Sequence, residues 1–458
     1  MLSEIEVTLR SKIMSNEFEY DVLYLGSGHG TFNGAIPLAS KGFKIGVIED
    51  GLIGGTCPNR GCNAKILLDM ITTTQHDVKE LQGSGLAGIP EINWKDNVEH
   101  KDEVIQLLPE AIGNMMTNAG IDLIYGKGKL VDDHSIKVGN KEYSADKIVI
   151  ATGAHYRKLD ISGNELTHDG TDFLSLKNQP ERMTVIGSGY IALEFANIAA
   201  ASGTKVTVLM HHDVALRKFY QPFVKVVLNK LAELDVKFVT NVNPQSIEKI
   251  DDDLIVKTNQ GDFKADWVLN ATGRPANVEE IGLDEVGVKY NHQGIEVNDH
   301  LQTNIPSIYA AGDVLDKKVG KLTPTAIFES EYLTDLFSGV TDKSIDYPAV
   351  PSAVFTTPRI AQVGISVDED ETNSNKYTIK DVDLATDWFR MTKNENEGTS
   401  KLIYDNHGVL VGATEVSDQA EDSISTILPA IEYQLTPKQI KHMISLFPTI
   451  GSESWSKL

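Results

Sequence analysis

The sequence predicts an α/β fold that contains two copies of one strand–helix–strand unit. An apolar strand followed by a glycine-rich turn occurs at residues 20–31 and again at residues 184–192. In both places a helical stretch and a second apolar strand follow the turn, which is the pattern of a βαβ unit. The spacing also agrees, because the second strand ends equally far from the first glycine of the turn in both copies.

The composition is typical of a globular protein with several cores. The chain has 458 residues, of which 41% are hydrophobic, and this length predicts roughly three domains. No apolar run is long enough to span a membrane, and residues 1–20 contain no apolar segment typical of a secretory signal. The net charge of −23 argues against nucleic acid or an anionic membrane as a partner. We therefore expect a cytoplasmic protein without either partner.

The first copy has the pattern of a dinucleotide-binding site. Its turn contains Gly26 and Gly28, which let the backbone bend tightly and approach a pyrophosphate at the start of a helix. Glu49 ends the second strand, where a carboxylate can bind a ribose 2′-hydroxyl. Thr31 replaces the third glycine and Pro37 lies inside the predicted helix, so the match is incomplete. The order of the elements nevertheless predicts a Rossmann-like unit.

The second copy differs from the first at the end of its second strand, where Met210 occupies the position of Glu49. Because a carboxylate would repel a 2′-phosphate, its absence favours a phosphorylated ribose. His211 and Arg217 follow and could bind that phosphate, although they could also be ordinary surface residues. We therefore predict NADPH rather than NADH for this copy. Its two turn glycines are Gly187 and Gly189.

The only two cysteines, Cys57 and Cys62, lie in one short segment directly after the first copy. This position favours a redox-active dithiol over a metal site or a structural bridge. The stretch after Cys62 is predicted to be helical, so this thiol lies near a positive helix N-terminus, and Arg60 and Lys65 add cationic character. Both effects are expected to lower the pKa of a thiol and to favour the thiolate.

Two Rossmann-like units and a C-x4-C pair make the chain resemble the flavoprotein disulfide reductases, which include glutathione reductase, dihydrolipoamide dehydrogenase and mercuric reductase. Five further segments resemble that family in order: 150–153, 270–275, 307–313, 322–326 and 350–358. The resemblance implies FAD in the first unit and the nicotinamide cofactor in the second. It also implies a homodimer and three domains. These are an FAD-binding domain at 1–153 and 274–345, an NAD(P)H-binding domain at 154–273, and an α+β dimerisation domain at 346–458.

The same resemblance implies roles for individual residues. Cys62 would be the sulfur next to the flavin, and Cys57 would attack the substrate. Lys65 and Glu194 would form an ion pair beside the flavin, and Tyr190 would cover the nicotinamide pocket. No metal site is expected. The remaining cofactor-binding residues implied by the resemblance are Gly55, Thr56, Thr152, Gly153, Gly273, Arg274, Asp313 and Thr323.

One functional residue of that family is replaced in this chain. Relatives carry a His-Pro pair followed by a Glu near the C-terminus, and the His, from the partner subunit, protonates the leaving thiol. Here Phe447 precedes the proline, and Glu453 lies one position later than the family's acid. Removing a general acid typically lowers turnover by roughly 10²–10⁴. His442 or Glu453 could replace it, or the acceptor could need no proton.

Four functions remain open on these grounds. The first is NADPH-dependent reduction of a small disulfide, as in glutathione reductase. The second is reduction of a non-disulfide acceptor, such as a metal ion, a quinone or an electrophile, by the same flavin and dithiol. The third is dihydrolipoamide dehydrogenase, which Met210 opposes because that role normally uses NAD. The fourth is a redox-sensing flavoprotein with little turnover. Mercuric reductases share the Phe-Pro sequence, but a second cysteine pair for metal delivery is missing here.

Overall fold

The computed structural model describes residues 18–367 and 376–458, and they form two compact units. Unit 1 comprises residues 18–65, 100–156 and 274–346. Unit 2 comprises residues 66–99 and 157–273 together with the described residues from 347 to the end of the chain. Each unit has its own parallel sheet.

The chain passes between the two units five times, after Lys65, Glu99, Tyr156, Gly273 and Asp346. Residues 157–273 of the predicted NAD(P)H-binding domain at 154–273 belong to unit 2. The described residues of the predicted dimerisation domain belong to unit 2 from residue 347 onward. Residues 66–99, which the sequence assigns to the FAD-binding domain, also belong to unit 2. The division into three domains therefore stays a prediction.

Unit 1 is built on a seven-stranded sheet. Tyr20–Leu25 lies between Ile45–Glu49 and Lys141–Ile150 and is parallel to both. Asp122–Tyr125 and Ile308–Ala310 extend the parallel part on either side. Tyr20–Leu25 is buried at nearly every residue, as expected for a parallel strand that is covered on both faces. The antiparallel and short strands of unit 1 are Gly128–Leu130, Ser135–Val138, Tyr290–Asn291 and Gly294–Ile295.

Several helices lie between the strands of unit 1 along the chain. Phe32–Ser40 follows the first glycine turn and continues past Pro37. Cys62–Glu80 and Trp94–Ile105 contain residues of both units. No helix in the described part of the chain is long and apolar enough to cross a membrane. The other helices of unit 1 are Thr56–Arg60, Leu108–Asn118, Leu283–Val286, the 3₁₀ turn Gly312–Val314, and Thr323–Phe337.

Unit 2 contains a parallel sheet and two antiparallel sheets. The parallel sheet has the order Trp267–Asn270, Arg182–Ile186, Lys205–Leu209, Lys237–Val239. One antiparallel sheet consists of Pro244–Ile250, Asp253–Thr258 and Gly261–Ala265. The other has the order Ser352–Val354, Arg359–Gly364, Leu410–Ser417, Thr399–Asp405, Tyr377–Asp383.

Helices cover these sheets within unit 2. Tyr190–Ala201 follows the second glycine turn, and it is buried along most of its length because it is rich in alanine and aliphatic residues. Ala420–Glu432 packs against the five-stranded sheet through a buried apolar face. The remaining helices of unit 2 are Asn164–Leu166 (3₁₀), Gly170–Leu174, Gln221–Glu233, Trp388–Met391, Pro437–Lys441 and Ile450–Ser456.

Candidate active site

The glycine turn of the first copy brings three backbone segments into close contact. Gly26 has φ of 105°, and a Cβ atom there would lie 2.3 Å from the carbonyl oxygen of Ala151. A Cβ atom at Gly55 would lie 2.9 Å from the Cα atom of Gly28. Only glycine permits these approaches, and the missing side chains leave the turn open for a pyrophosphate. The turn therefore fits the nucleotide that the sequence predicts.

Glu49 holds this turn from the end of its strand. One carboxylate oxygen accepts hydrogen bonds from the Ser27 N–H at 2.9 Å and the Ser27 hydroxyl at 2.6 Å. The other oxygen accepts the Gly51 N–H at 2.8 Å. The Ser27 hydroxyl also accepts the Gly54 N–H at 3.0 Å. Ser27 was not among the predicted site residues, although a hydroxyl between two turn glycines was a readable signal.

Arg274 and Asp313 form a second polar group in unit 1. The Arg274 guanidinium donates to the carbonyl oxygen of Ala154 at 2.7 Å and lies 3.7 Å from the Asp313 carboxylate. Its Nε atom is buried and has no hydrogen-bond partner among the described residues. An unsatisfied buried donor costs about 1–3 kcal/mol. This donor therefore fits a ligand that brings an acceptor, such as an oxygen of a bound dinucleotide.

The segment after strand Lys141–Ile150 is fixed by Asn277. The Thr152 hydroxyl donates to the Asn277 carbonyl oxygen at 2.7 Å, and the Asn277 side chain donates to the Thr152 carbonyl oxygen at 2.6 Å. The Asn277 N–H donates to the Gly153 carbonyl oxygen at 2.9 Å. Thr152 and Gly153 are thus held at the sheet edge, close in sequence to Ala151, which touches the glycine turn.

Cys57 and Cys62 lie on two consecutive helices of the chain. Cys57 is in Thr56–Arg60, and Cys62 is the first residue of Cys62–Glu80, which confirms the predicted helix start. The thiols are not linked; Cys57 is partly buried and Cys62 is exposed. The Cys62 Sγ atom lies 3.7 Å from the hydroxyl of Thr323. The structure therefore brings the dithiol together with one predicted flavin contact.

The protonation of the pair follows from its geometry. The hydrogen bond with Cys62 and then burial raise the pKa of Cys57 well above the usual range of a thiol. Cys57 therefore keeps its proton at neutral pH when both thiols are reduced. A thiol in this state needs a base before it can attack a disulfide.

Asn59 shapes the turn between the two cysteines. Its side-chain amide donates to the carbonyl oxygens of Ile53 at 2.9 Å and Gly55 at 2.8 Å. These bonds hold the helix Thr56–Arg60 against the segment that precedes it, so Thr56 and Cys57 begin a fixed turn. Arg60, in contrast, is exposed.

Lys65 and Glu194, the predicted ion pair, are both buried. Lys65 is 9% exposed and belongs to unit 1, whereas Glu194 is 6% exposed and belongs to unit 2. Glu194 accepts the Phe355 N–H at 2.9 Å. Burial of these charges agrees with a specific role for each, and their pairing beside a flavin stays a prediction.

The second glycine turn repeats the geometry of the first. Gly187 has φ of 131°, and a Cβ atom there would lie 2.4 Å from the carbonyl oxygen of Ala271. Gly189 has open space where a side chain would be, and it precedes the helix that begins with the half-exposed Tyr190. Gly273, with φ of 123°, accepts the N–H of Arg157 at 3.0 Å from a neighbouring segment of unit 2.

The loop after Met210 folds back onto this turn. Met210 is buried, so the strand end presents no carboxylate to a ligand. The Leu216 N–H donates to the carbonyl oxygen of Ser188 at 3.0 Å, inside the glycine turn. Arg217 follows directly and is exposed, and His211 packs edge-to-face on its neighbouring histidine at the start of the loop. The structure thus places the predicted Arg217 next in sequence to a residue that touches the turn.

Glu453 is buried in an ion-pair network of unit 2. Its side chain is 4% exposed and accepts from Arg390 at 3.3 Å. Arg390 also binds Glu395 and Glu415, and Lys457 binds Glu415 at 2.5 Å. Burial raises the pKa of Glu453, but the carboxylate is held by a cation away from solvent. Glu453 is thus held by Arg390 inside unit 2, and its assignment as a catalytic residue stays a prediction.

Phe447 and His442 lie outside that network. Phe447 is 68% exposed, and its ring lies 5.5 Å from the ring of Trp388. His442 is exposed directly after helix Pro437–Lys441. No group of three or more metal-binding side chains occurs in residues 18–367 and 376–458.

Residues 20–330 match the family described as pyridine nucleotide-disulphide oxidoreductase, and residues 350–457 match its dimerisation domain. Glutathione reductase of Pisum sativum is 32% identical over 96% of this chain and 82% of its own length. Mercuric reductase of Staphylococcus aureus is 32% identical over 94% of this chain and 81% of its own. Dihydrolipoyl dehydrogenase of Geobacillus stearothermophilus is 28% identical over 94% of both chains.

Among solved structures, the HOCl-induced flavoprotein disulfide reductase RclA from Escherichia coli has a TM-score of 0.86 and 25% identity, with 96% of this chain and 99% of that chain covered. Its Cu(II) complex has a TM-score of 0.87 at 24% identity. These matches confirm the predicted fold class, and the dimerisation domain indicates a homodimer. The family binds FAD and a pyridine nucleotide. The chain belongs to the pyridine nucleotide-disulphide oxidoreductases.

Proposed function

We propose that this chain is an NADPH-dependent FAD enzyme that reduces a small-molecule disulfide through Cys57 and Cys62. The observation that carries the proposal is the contact of Cys62 with Thr323. Thr323 is one of the residues predicted to bind FAD, so the contact brings the dithiol to the expected flavin site of unit 1. When bound, FAD would take a hydride from the nicotinamide and pass an electron pair to the Cys57–Cys62 disulfide. The residues of this chain bind the cofactors and carry out thiol exchange.

The FAD site would use the backbone and the charges described in unit 1. The turn of Gly26 and Gly28 would receive the pyrophosphate, and Glu49 would bind the ribose hydroxyls in exchange for part of its contacts with Ser27. Asp313 and the unsatisfied Arg274 Nε would bind the rest of the dinucleotide. The same FAD site would be lined by Gly55, Thr56, Thr152 and Gly153.

The nicotinamide cofactor would bind unit 2. The turn of Gly187 and Gly189 would receive its pyrophosphate, and Tyr190 would cover the nicotinamide pocket. Arg217, with His211, would bind the 2′-phosphate. Met210 stands where the first copy has a carboxylate, so no negative charge there would repel the phosphate. Gly273 would lie at the chain crossing beside this site.

The thiol chemistry assigns different roles to the two sulfurs. The Cys57 thiolate would attack the substrate disulfide, forming a mixed disulfide and releasing one thiolate, which takes a proton. Cys62 would then attack the Cys57 sulfur, release the second thiol and re-form the intramolecular disulfide. Because the pKa of Cys57 is raised, its proton must leave before the first step. Phe447 cannot accept it.

A second candidate is the reduction of a soft metal ion, and the C-terminal residues favour it. Phe447 carries no transferable proton, and Glu453 is tied to Arg390. A metal acceptor releases no thiol that needs a proton; for example, two Cu(II) ions would take the two electrons of the dithiol. Relatives of this chain include mercuric reductases, and a neighbouring structure is a Cu(II) complex.

An acceptor panel tests the first proposal and separates it from the second. Anaerobic NADPH oxidation by the FAD-loaded enzyme would be measured with oxidised glutathione, lipoamide, Cu(II), Hg(II) and a quinone. Cys57→Ser and Cys62→Ser are each expected to lower acceptor-dependent turnover by at least roughly 10²-fold. Disulfide turnover that survives Cys57→Ser would remove Cys57 as the attacking thiol. Turnover with metal ions alone would replace the first proposal by the second.

Phe447→His tests the proton argument directly. Restoring an imidazole should raise disulfide turnover by roughly 10-fold or more, while metal-ion turnover stays the same. Phe447→Leu is the matched control, because it removes the ring without adding a base. An equal gain in both variants would show that the phenylalanine ring merely obstructs the site.

A further inference from the structure

Glu329 is a completely buried carboxylate for which the proposed function has no role. It lies on helix Thr323–Phe337, along the inward stripe of that helix. One of its oxygens lies 2.6 Å from the Lys317 ammonium, and the other accepts the Gly312 N–H at 2.7 Å. The side chains of Glu329 and Lys317 are 0% and 6% exposed. The pair is thus removed from water and lies against the turn that carries Asp313.

Stability alone does not explain this pair. Removing two charges from water costs several kcal/mol per ion, and well-packed apolar residues of similar volume are often equally stable. A carboxylate, however, can accept a directed hydrogen bond, which an apolar side chain cannot. Here that bond goes to Gly312, whose φ is 83°, immediately before Asp313. The gain from Glu329 is therefore a fixed backbone orientation at this turn.

Helix Thr323–Phe337 also contacts two other segments that are proposed to lie at the FAD site. The Ser330 hydroxyl accepts the Gly34 N–H at 2.8 Å, and the Thr334 hydroxyl donates to the Gly34 carbonyl oxygen at 2.8 Å. Gly34 lies on the helix that follows the first glycine turn. At the start of helix Thr323–Phe337, Thr323 contacts Cys62. One helix therefore contacts the dithiol, the Gly312 turn and the helix of the first copy.

We propose that Glu329 and Lys317 are positioning residues of the FAD site. Glu329 fixes the Gly312–Asp313 turn through its hydrogen bond, and Lys317 balances the buried negative charge of Glu329. This inference rests on the proposed function, in which Asp313 binds FAD. It adds two ionised residues that do not touch the substrate but set the orientation of Asp313 and the charge around the cofactor.

FAD binding to the apoprotein tests the hydrogen-bond role. Glu329→Gln keeps an acceptor for the Gly312 N–H and loses the charge, whereas Glu329→Leu loses both. Measured by quenching of flavin fluorescence, the dissociation constant should rise by at least about tenfold in Glu329→Leu and by less than about threefold in Glu329→Gln. Glu331→Gln, at an exposed position of the same helix, is the matched control and should bind FAD like the wild type.

The flavin midpoint potential tests the charge role. Glu329→Gln leaves the Lys317 cation unmatched, which stabilises the reduced, more negative flavin and should shift the potential to more positive values. Lys317→Met removes a positive charge and should shift the potential the opposite way. The double variant Glu329→Gln/Lys317→Met should return close to the wild-type potential, because the net charge is restored. A packing defect would not produce shifts of opposite sign.

The outcomes separate this inference from the proposed function. Wild-type protein that does not bind FAD would overturn both. Wild-type protein that binds FAD, with unchanged affinity in Glu329→Leu and unchanged potentials in the charge variants, would overturn the roles of Glu329 and Lys317 alone. If circular dichroism shows that Glu329→Leu is unfolded, the two potential shifts decide the question, and shifts of the same sign or no shift would refute it.

Discussion

The two strand–helix–strand copies share a backbone and differ in the side chains that would meet a nucleotide. In the first copy the Gly26 N–H donates to the Ile48 carbonyl oxygen at 2.8 Å, and in the second the Gly187 N–H donates to Leu209 at 3.0 Å. A Cβ atom would clash with a carbonyl oxygen at nearly the same distance at both glycines, 2.3 and 2.4 Å. The two turns therefore have the same backbone geometry.

The side chains around the two turns are different. Glu49 ends the strand of the first copy and binds the turn, whereas the corresponding Met210 is buried and apolar. His29 occupies the position after the second turn glycine in the first copy, and Tyr190 occupies it in the second. The comparison teaches that one turn geometry can be surrounded by different side chains, and we propose that these side chains select the nucleotide that binds there.

The largest expected effect comes from adding a methyl group at either first glycine. Gly26→Ala and Gly187→Ala each place Cβ against a backbone oxygen at a positive φ, so each should cost roughly 3 kcal/mol or more of local stability. Gly26→Ala should abolish FAD retention, and Gly187→Ala should leave FAD bound but raise the KM for NADPH. Flavin content and NADPH kinetics check the two results.

Matched controls for these variants exist in both copies. Gly42 and Gly203 also have positive φ, 94° and 100°, but have no atom within 4 Å of an added Cβ. Gly42→Ala and Gly203→Ala therefore add backbone strain without the clash and should keep both cofactors. If they lose cofactor as strongly as the first pair, strain and not close approach explains the glycines.

A smaller effect is expected when the first copy is made to resemble the second at its strand end. Glu49→Met removes the acceptor of the Ser27 and Gly51 hydrogen bonds and the proposed ribose contact. Because hydrogen bonds to a charged group contribute about 1.5–3 kcal/mol, FAD affinity should fall about 10–100-fold. Calorimetric titration of the apoprotein measures this change. Unchanged affinity would show that Glu49 serves only the protein's own turn.

The sequence predicts the repeated units well because their signals are local. Glycines, apolar strands and the strand-end residue lie within one stretch in each copy, so spacing alone identifies them. The helix that begins at Cys62 was also predictable from the residues that follow it. The strand order of the unit 1 sheet was not, since Ile308–Ala310 pairs with a strand more than a hundred residues earlier.

The features that the sequence did not predict depend on contacts between distant segments. Glu453 matched an expected position, but its partner Arg390 lies 63 positions away, and only folding shows that the pair is buried. The sequence did not predict a role for Glu329 for the same reason. Its position among the buried residues of a helix could have indicated one, because a charged residue is unusual there. Burial of a charge is thus the property that a linear reading predicts least well.

The second copy's selectivity provides the next prediction. Arg217→Ala removes the proposed cation at the 2′-phosphate, so kcat/KM for NADPH should fall about tenfold while that for NADH stays unchanged. Lys218→Ala, an exposed cation at the next position, is the control and should change neither value. Equal losses with both cofactors would remove Arg217 from phosphate recognition, and a wild-type preference for NADH would refute the cofactor proposal itself.

The smallest expected effect is a pH dependence that only the first copy should show. Burial lowers the pKa of His29, opposed by its 2.8 Å hydrogen bond with Asn33, so the free protein carries a neutral imidazole at pH 7. Without FAD, the pKa of His29 is lower in the folded than in the unfolded protein. The contribution of neutral His29 to the free energy of unfolding is therefore present above the unfolded-state pKa and is lost as the pH falls through the folded-state pKa.

Binding of FAD should reverse the tendency of His29 to stay neutral. An anionic pyrophosphate near the imidazole favours its protonated form, so FAD binding takes up a proton, and affinity should tighten by about threefold between pH 7.5 and pH 5.5. His29→Gln should lose this slope, and His100→Gln, at an exposed position of the same unit, should keep it. Because Tyr190 provides no imidazole at the matching position, no such slope is expected from that position for NADPH. A slope that persists in His29→Gln would place the titrating group elsewhere, and Glu49 would then be the difference between the two turns that remains.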